Sequence, residues 1–256
     1  MPGAKKIVLF DNTTLIDKCV LFGSEFFGTW ILVFLGCLGC VPNKEGVYPP
    51  HQQIALTFGL AVMLAIQCFG HISGGHINPI VTIAAAVLGH IALIQVPIYF
   101  VAQMLGALAG YGTVKAIIPI EYMNKSVGGI CSPGGWLQGG FESMLMEFFL
   151  SFILVLICGA IWDWKNLDKH DSVTIRLGLA VAVLAMAGGS FSGSNMNPAR
   201  SFAPALLNGN WKNHWAYWVG PILAGVVGGA VYRFVFTKEQ PKKANGPESI
   251  PLNEKA

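Results

Sequence analysis

The chain has 256 residues, of which 54% are hydrophobic and 11% charged, with a formal net charge of +3 and a mean hydropathy of +0.57. Soluble domains carry about 25% charged residues, whereas here no Asp, Glu, Lys or Arg occurs between Gly46 and Val114, so the composition is that of a polytopic membrane protein. The small and scattered positive excess argues against a nucleic-acid partner, and no nucleophile–base pair or metal-spaced cluster points to an enzyme, a metal or a cofactor.

Residues 1–18 contain no long apolar run before a small-residue cleavage site, so the first span is expected to act as its own insertion signal, behind a short cytoplasmic segment. Six long apolar stretches follow, at Cys19–Val41, Gln52–Phe69, Ile94–Ile117, Phe141–Trp162, Val173–Ala187 and His214–Phe236. Each is long enough for a membrane-spanning helix. Two more, Asn78–Leu88 and Asn197–Leu207, reach roughly 15 Å at 1.5 Å per residue, about half of a hydrocarbon core. They are expected to be re-entrant half-helices. The connection from Pro119 to Gly140 is the longest and holds an acceptor sequon, Asn124-Lys125-Ser126. Residues 237–256 are polar and Pro-containing, expected as a disordered cytoplasmic tail. Cys19, Cys37, Cys68 and Cys158 lie in or beside apolar runs and read as packing residues, supporting neither a metal site nor a disulfide framework.

The halves repeat. Ser73-Gly74-Gly75-His76-Ile77-Asn78-Pro79 aligns without a gap on Ser192-Gly193-Ser194-Asn195-Met196-Asn197-Pro198, 119 residues later, and Glu25-Phe26-Phe27 matches Glu147-Phe148-Phe149 at an offset of 122. An odd number of spans per half inserts the second copy upside down, so the fold class is an all-α membrane protein of six transmembrane helices plus two half-helices in inverted repeats, about 19–118 and 141–236 of a channel domain 19–236. With both termini cytoplasmic, eleven Lys and Arg lie inside and four outside, with Arg200 left for the interior, in accord with the positive-inside rule.

A bare peptide loop cannot face hydrocarbon, so the two Gly-rich preambles must be buried in protein or line a wet cavity. Asn78 and Asn197 each suit an N-cap before Pro at the first helical position, which leaves their NH2 donors to face that cavity. Gly74, Gly75, His76, Gly193, Asn195 and Met196 are expected to line it, and Glu25 and Glu147 to hold the loops by accepting hydrogen bonds. Arg200 falls at the positive end of a half-helix, where a cation costs stability; it either snorkels to the headgroups or is fixed in a polar cavity. A water between two donors must offer both of them its oxygen, and opposed helix dipoles repel cations there, so a neutral-solute pore is expected. Gly106, Gly110, Gly225, Gly228 and Gly229 suit close helix crossings.

The paired Asn-Pro half-helices, the Glu-Phe of spans one and four and Asn197-Pro198-Ala199-Arg200-Ser201-Phe202 make the chain, over roughly residues 20–236, resemble the aquaporin (major intrinsic protein) family. Ile80 departs from the Ala of the family motif, at the place where the half-helices meet. The resemblance implies an hourglass pore in each subunit of a homotetramer, and a constriction that falls by spacing on Phe58, Ala185, Ser194 and Arg200. Water-selective members usually carry His at the Ala185 position. The methyl widens the gap, which resembles the insect glycerol-conducting branch, the entomoglyceroporins, and implies passage of water, glycerol and urea through a plasma-membrane protein. Ser201, where glycerol facilitators have Asp, and the Tyr217-Trp218 pair argue instead for a strictly water-selective channel. A junctional membrane protein of low permeability and a proton-coupled transporter are the readings from other classes.

Overall fold

The computed structural model describes residues 6–125, 129–134, 137 and 139–237, with the side chains of Asn124, Lys125, Leu167 and His170 also left out; the sequon side chain of Asn124 and the tail beyond Thr237 therefore lie outside the described residues. Among these residues six helices are long and apolar enough to cross a membrane, and all regular structure is helical. The first is α1 (Leu15–Leu38), which begins four residues ahead of the expected Cys19 because Thr14 and Asp17 form a capping box. Next come α2 (His51–Ser73), the half-helix α3 (Pro79–Leu88) and α4 (Val96–Ile117). A short helix, α5 (Ile120–Lys125), was not expected. The second half repeats the order as α6 (Gly140–Trp162), α7 (Val173–Ser192), the half-helix α8 (Pro198–Asn208) and α9 (Ala216–Val231). α2 and α7 each run past their expected ends to the serine before the loop, and a left-handed glycine then stops them, Gly74 at φ 86° and Gly193 at φ 88°.

Helices pack where side chains are absent. α1 lies on α4, α6 on α9, and α2 on α7 across the two halves. In the last crossing the same residue of each repeat meets its twin: a Cβ on Gly178 would lie 2.8 Å from the Gly59 carbonyl, and one on Gly59 would collide with the Gly178 carbonyl. Gly106 abuts the Phe26 backbone and Gly110 the Trp30 carbonyl, while Gly225 faces Ile80, Gly228 faces Val155 and Gly229 faces Val87. Close backbone approach is the means by which membrane helices gain contact without a hydrophobic driving force. Ile80 is fully buried, and a Cβ on Gly225 would lie 3.1 Å from the Ile80 carbonyl and 3.5 Å from its Cβ, so glycine at 225 lets α9 approach the start of α3 closely.

The half-helices end on cations. Lys115 Nζ donates to the Leu207 carbonyl at the end of α8, at 2.7 Å, and Arg233 Nη1 donates to the Val87 carbonyl at the end of α3, also at 2.7 Å. Each therefore has its negative end neutralised and its positive end free to face the centre. Gly178→Val is expected to overpack the α2–α7 crossing by about 1–3 kcal/mol or more. The check is the melting temperature of purified protein in detergent, which falls if the halves meet there and stays at the wild-type value if they do not.

Candidate functional site: a pore between two re-entrant loops

The two loops are built alike, dihedral by dihedral. Gly74, Gly75 and Ile77 have φ of 86°, 62° and 46°, and Gly193, Ser194 and Met196, each 119 residues later, have 88°, 44° and 50°. Positive φ costs little at Gly but is unusual elsewhere, most of all at β-branched Ile77. Such a conformation persists only where its surroundings over-determine it. A buried carboxylate does so in each half. Glu25 accepts from Ser73 Oγ (2.6 Å), His76 N (2.9 Å), Ile77 N (2.7 Å) and Gln103 Nε2 (2.8 Å). Glu147 accepts from Ser192 Oγ (2.6 Å), Asn195 N (2.9 Å) and Met196 N (2.8 Å). Tyr99 and Tyr217 donate to the carbonyls of Ser73 and Ser192 at 2.6 and 2.8 Å.

The asparagines close the arrangement across the centre. Asn78 Oδ1 caps its own half-helix through Ile80 N at 3.0 Å, and Asn197 Oδ1 accepts from Ala199 N and Arg200 N at 3.1 and 3.3 Å. Their amide nitrogens were expected to be free toward the cavity. One N–H of each is instead committed: Asn78 Nδ2 donates to the Met196 carbonyl at 2.8 Å, and Asn197 Nδ2 to the Ile77 carbonyl at 2.9 Å. The acceptor in each case is the strained residue just before the opposite asparagine. An amide nitrogen carries two hydrogens, so one donor remains on each. Both asparagines line a cavity of about 320 Å³.

Phe58, Ala185, Ser194 and Arg200 all line this cavity, brought together from α2, α7, the second loop and α8. Arg200 is 6% exposed, so the snorkelling alternative is excluded. Its Cζ lies 4.6 Å from the Phe58 ring centroid, and its Nη1 donates to the Gly129 carbonyl at 2.6 Å and contacts Cys131 Sγ. Ser194 Oγ donates to the Leu184 carbonyl at 2.9 Å, which turns the hydroxyl toward α7. Gly75, His76, Gly193, Asn195 and Met196 line the cavity as expected, but Gly74 does not: it is the exposed cap of α2. The His76 ring stacks on Tyr99 at 4.6 Å, with Nδ1 3.1 Å from Thr82 Oγ1. His71 lies near the end of α2 and is exposed.

Sequence reasoning missed several partners. Tyr99 and Tyr217 stand 118 residues apart, within one of the asparagine offset, so the internal repeat could have found them. Gln103 has no such twin. Gly129 and Cys131, which meet Arg200 from a connection 69 to 71 residues away, carry no sequence signal for that contact. His51, another cavity residue, sits at the start of α2 without a motif.

Six membrane-length helices around a mostly apolar cavity that carries a few polar groups, with two half-helices aiming their positive ends into it, define an integral membrane protein that forms a pore. The major intrinsic protein family model matches residues 13–232. Aquaporin-4 of Mus musculus is 40% identical over 217 residues, covering 83% of this chain and 66% of its own length, so the chain spans about two thirds of that relative. The lens fiber major intrinsic protein of Homo sapiens is 38% identical over 213 residues, 83% of this chain and 79% of that protein. Among solved structures, the aquaglyceroporin from Plasmodium falciparum superposes with a TM-score of 0.74 at 24% identity, covering 85% of this chain and 96% of that one, a likeness of fold. The chain belongs to the major intrinsic protein family.

Replacing Glu147 by Ala strips the acceptor from three buried donors, each worth about 1–3 kcal/mol when left unpaired. Glu147→Ala is therefore expected to lower thermal stability and water flux per molecule together, with Glu147→Gln in between. Wild-type melting and flux in Glu147→Ala would mean that the loop holds its shape without the carboxylate.

Proposed function

We propose that the protein is a passive channel for water, glycerol and urea that excludes protons and other ions, with Asn78 and Asn197 as the central donors and Phe58, Ala185, Ser194 and Arg200 as the constriction. The observation that carries the reading is Ala185 on the cavity wall, in a constriction where Phe58 offers an apolar face to a carbon backbone and Arg200 offers donors to hydroxyls. A methyl at that place leaves width that an imidazole would fill. The pair of half-helix N-termini and the guanidinium add positive potential at the centre, which opposes cations while leaving neutral solutes free.

The strictly water-selective reading rests on Ser201 and Tyr217-Trp218. Ser201 is 1% exposed and donates to the Pro198 carbonyl at 3.1 Å, while Tyr217 is spent on the Ser192 carbonyl. Neither lines the cavity that holds the constriction. Constriction width acts directly on what passes, and it is the stronger argument.

The channel proper comprises residues 19–236, between cytoplasmic segments 1–18 and 237–256, in a plasma membrane with both termini inside; the eleven-to-four excess of Lys and Arg supports this orientation. It also puts Asn124 outside, where glycosylation can reach it. Four copies are expected to assemble through lipid-facing apolar stripes such as Leu56, Leu60 and Leu64 of α2 and Ile175, Leu179 and Val183 of α7, all exposed in the single chain. Vesicles or cells containing the protein are expected to swell in isosmotic glycerol faster than controls. Glycerol flux at the control level would refute the glycerol reading. Ala185→His is expected to cut glycerol flux about tenfold or more while water flux stays substantial; equal glycerol flux in that variant would place the restriction elsewhere.

A further inference from the structure

One imidazole in the cavity belongs to neither half-helix motif. His51 opens α2 and stands two helical turns before Phe58, on the face that also sends Ile54, Ala55 and Phe58 into the cavity. Its Nε2 lies 3.1 Å from the carbonyl of Met186, the residue after Ala185. A carbonyl can only accept, so this nitrogen carries a hydrogen and donates it. A Cβ on Gly189 would collide with His51 Cε1 and lie 2.9 Å from Nε2, so glycine at 189 is what lets the ring lie against α7. Ala185 and Gly189, one turn apart on α7, both line the cavity as His51 does. The wall of α7 is therefore nearly bare over one turn, and an imidazole crosses to it from α2.

We propose that His51 is a further specificity-determining residue of the pore, a fifth wall that narrows the passage beside Gly189, one turn along α7 from Ala185, and so restricts solutes larger than water. The proposal rests on the reading of the chain as a neutral-solute channel. The ring is planar, held at one nitrogen by a backbone carbonyl and seated on a glycine, so it cannot swing aside as freely as an unanchored side chain. Water passes such a wall with little loss. A three-carbon polyol must shed more of its hydration and align with the gap, so the ring discriminates by size. Removing it is expected to help large solutes most.

The test is the ratio of solute to water permeability in liposomes holding purified wild type, His51→Ala or His51→Gln, with formamide, urea and glycerol as the probes. This ratio does not depend on how much protein inserts. His51→Ala is expected to raise it in order of solute size, by about three- to tenfold for glycerol. His51→Gln, whose amide can still donate to the Met186 carbonyl, is expected to raise it less; if His51→Ala passes no water at all, the rise in His51→Gln decides. Ratios unchanged for all three solutes, or lower than wild type, would overturn the proposal whatever the wild type conducts. A wild type that passes water but no glycerol would remove the glycerol reading alone, and the proposal would stand if His51→Ala then admitted any of the three.

Discussion

Each half of the protein holds a residue of the other that sits at positive φ. Ile77 and Met196 sit at positive φ because their N–H groups must reach Glu25 and Glu147, and their carbonyls then project to the centre. There the amide of the opposite half's asparagine donates to each of them. Were either bond absent, a buried carbonyl and the amide that meets it would both lose a partner, at about 1–3 kcal/mol each where no water replaces it. The bond pair is thus both a weld between inverted halves and the condition under which irregular backbone can exist at membrane depth.

The pore follows from that weld. Two helices stop halfway because the loops must meet, and their positive ends meet with them. The far ends are quieted by Lys115 and Arg233, while the positive ends stay turned toward the centre. Arg200 stands in this field at a place where its charge is opposed. It stays because a carbonyl, a thiol and an aromatic face receive it: Gly129, Cys131 and Phe58. A cation held rigidly on an aromatic ring makes a wall of fixed width, and α7 decides through Ala185 and Gly189 how much room is left beside it.

What could be read in the sequence was what repeats locally. The six spans, both half-helices and their caps came from apolar run length and from Asn-Pro at a constant offset, because membrane solvation and helix capping act on neighbouring residues. Span ends were misjudged where polar residues do helical work: Thr14 and Asp17 cap α1 ahead of its apolar run, and Ser73 and Ser192 stay helical to reach the carboxylates. Cys37, read from its apolar run as a packing residue, is fully buried, and Cys40 three residues on makes a C-x-x-C spacing that the run itself did not reveal. Cys131 is more than a packing residue, since it touches Arg200. Contacts of this kind join segments some 70 to 135 residues apart, as Gly129 with Arg200 or His51 with Met186 do, and no local pattern marks them. Gly59 and Gly178 lay within reach of the repeat argument at the same offset of 119, yet a glycine in an apolar run is ambiguous until its crossing partner is known.

The central claim is that two interlocked asparagines at the positive ends of opposed half-helices pass neutral molecules and block protons. It is tested most directly by stopped-flow osmotic shrinkage of proteoliposomes, paired with proton flux across an imposed pH gradient in the same vesicles loaded with a pH-sensitive dye. The account predicts water permeability that scales with the protein content of the vesicles and a proton flux no greater than that of empty ones. Proton flux rising in step with protein content would contradict it.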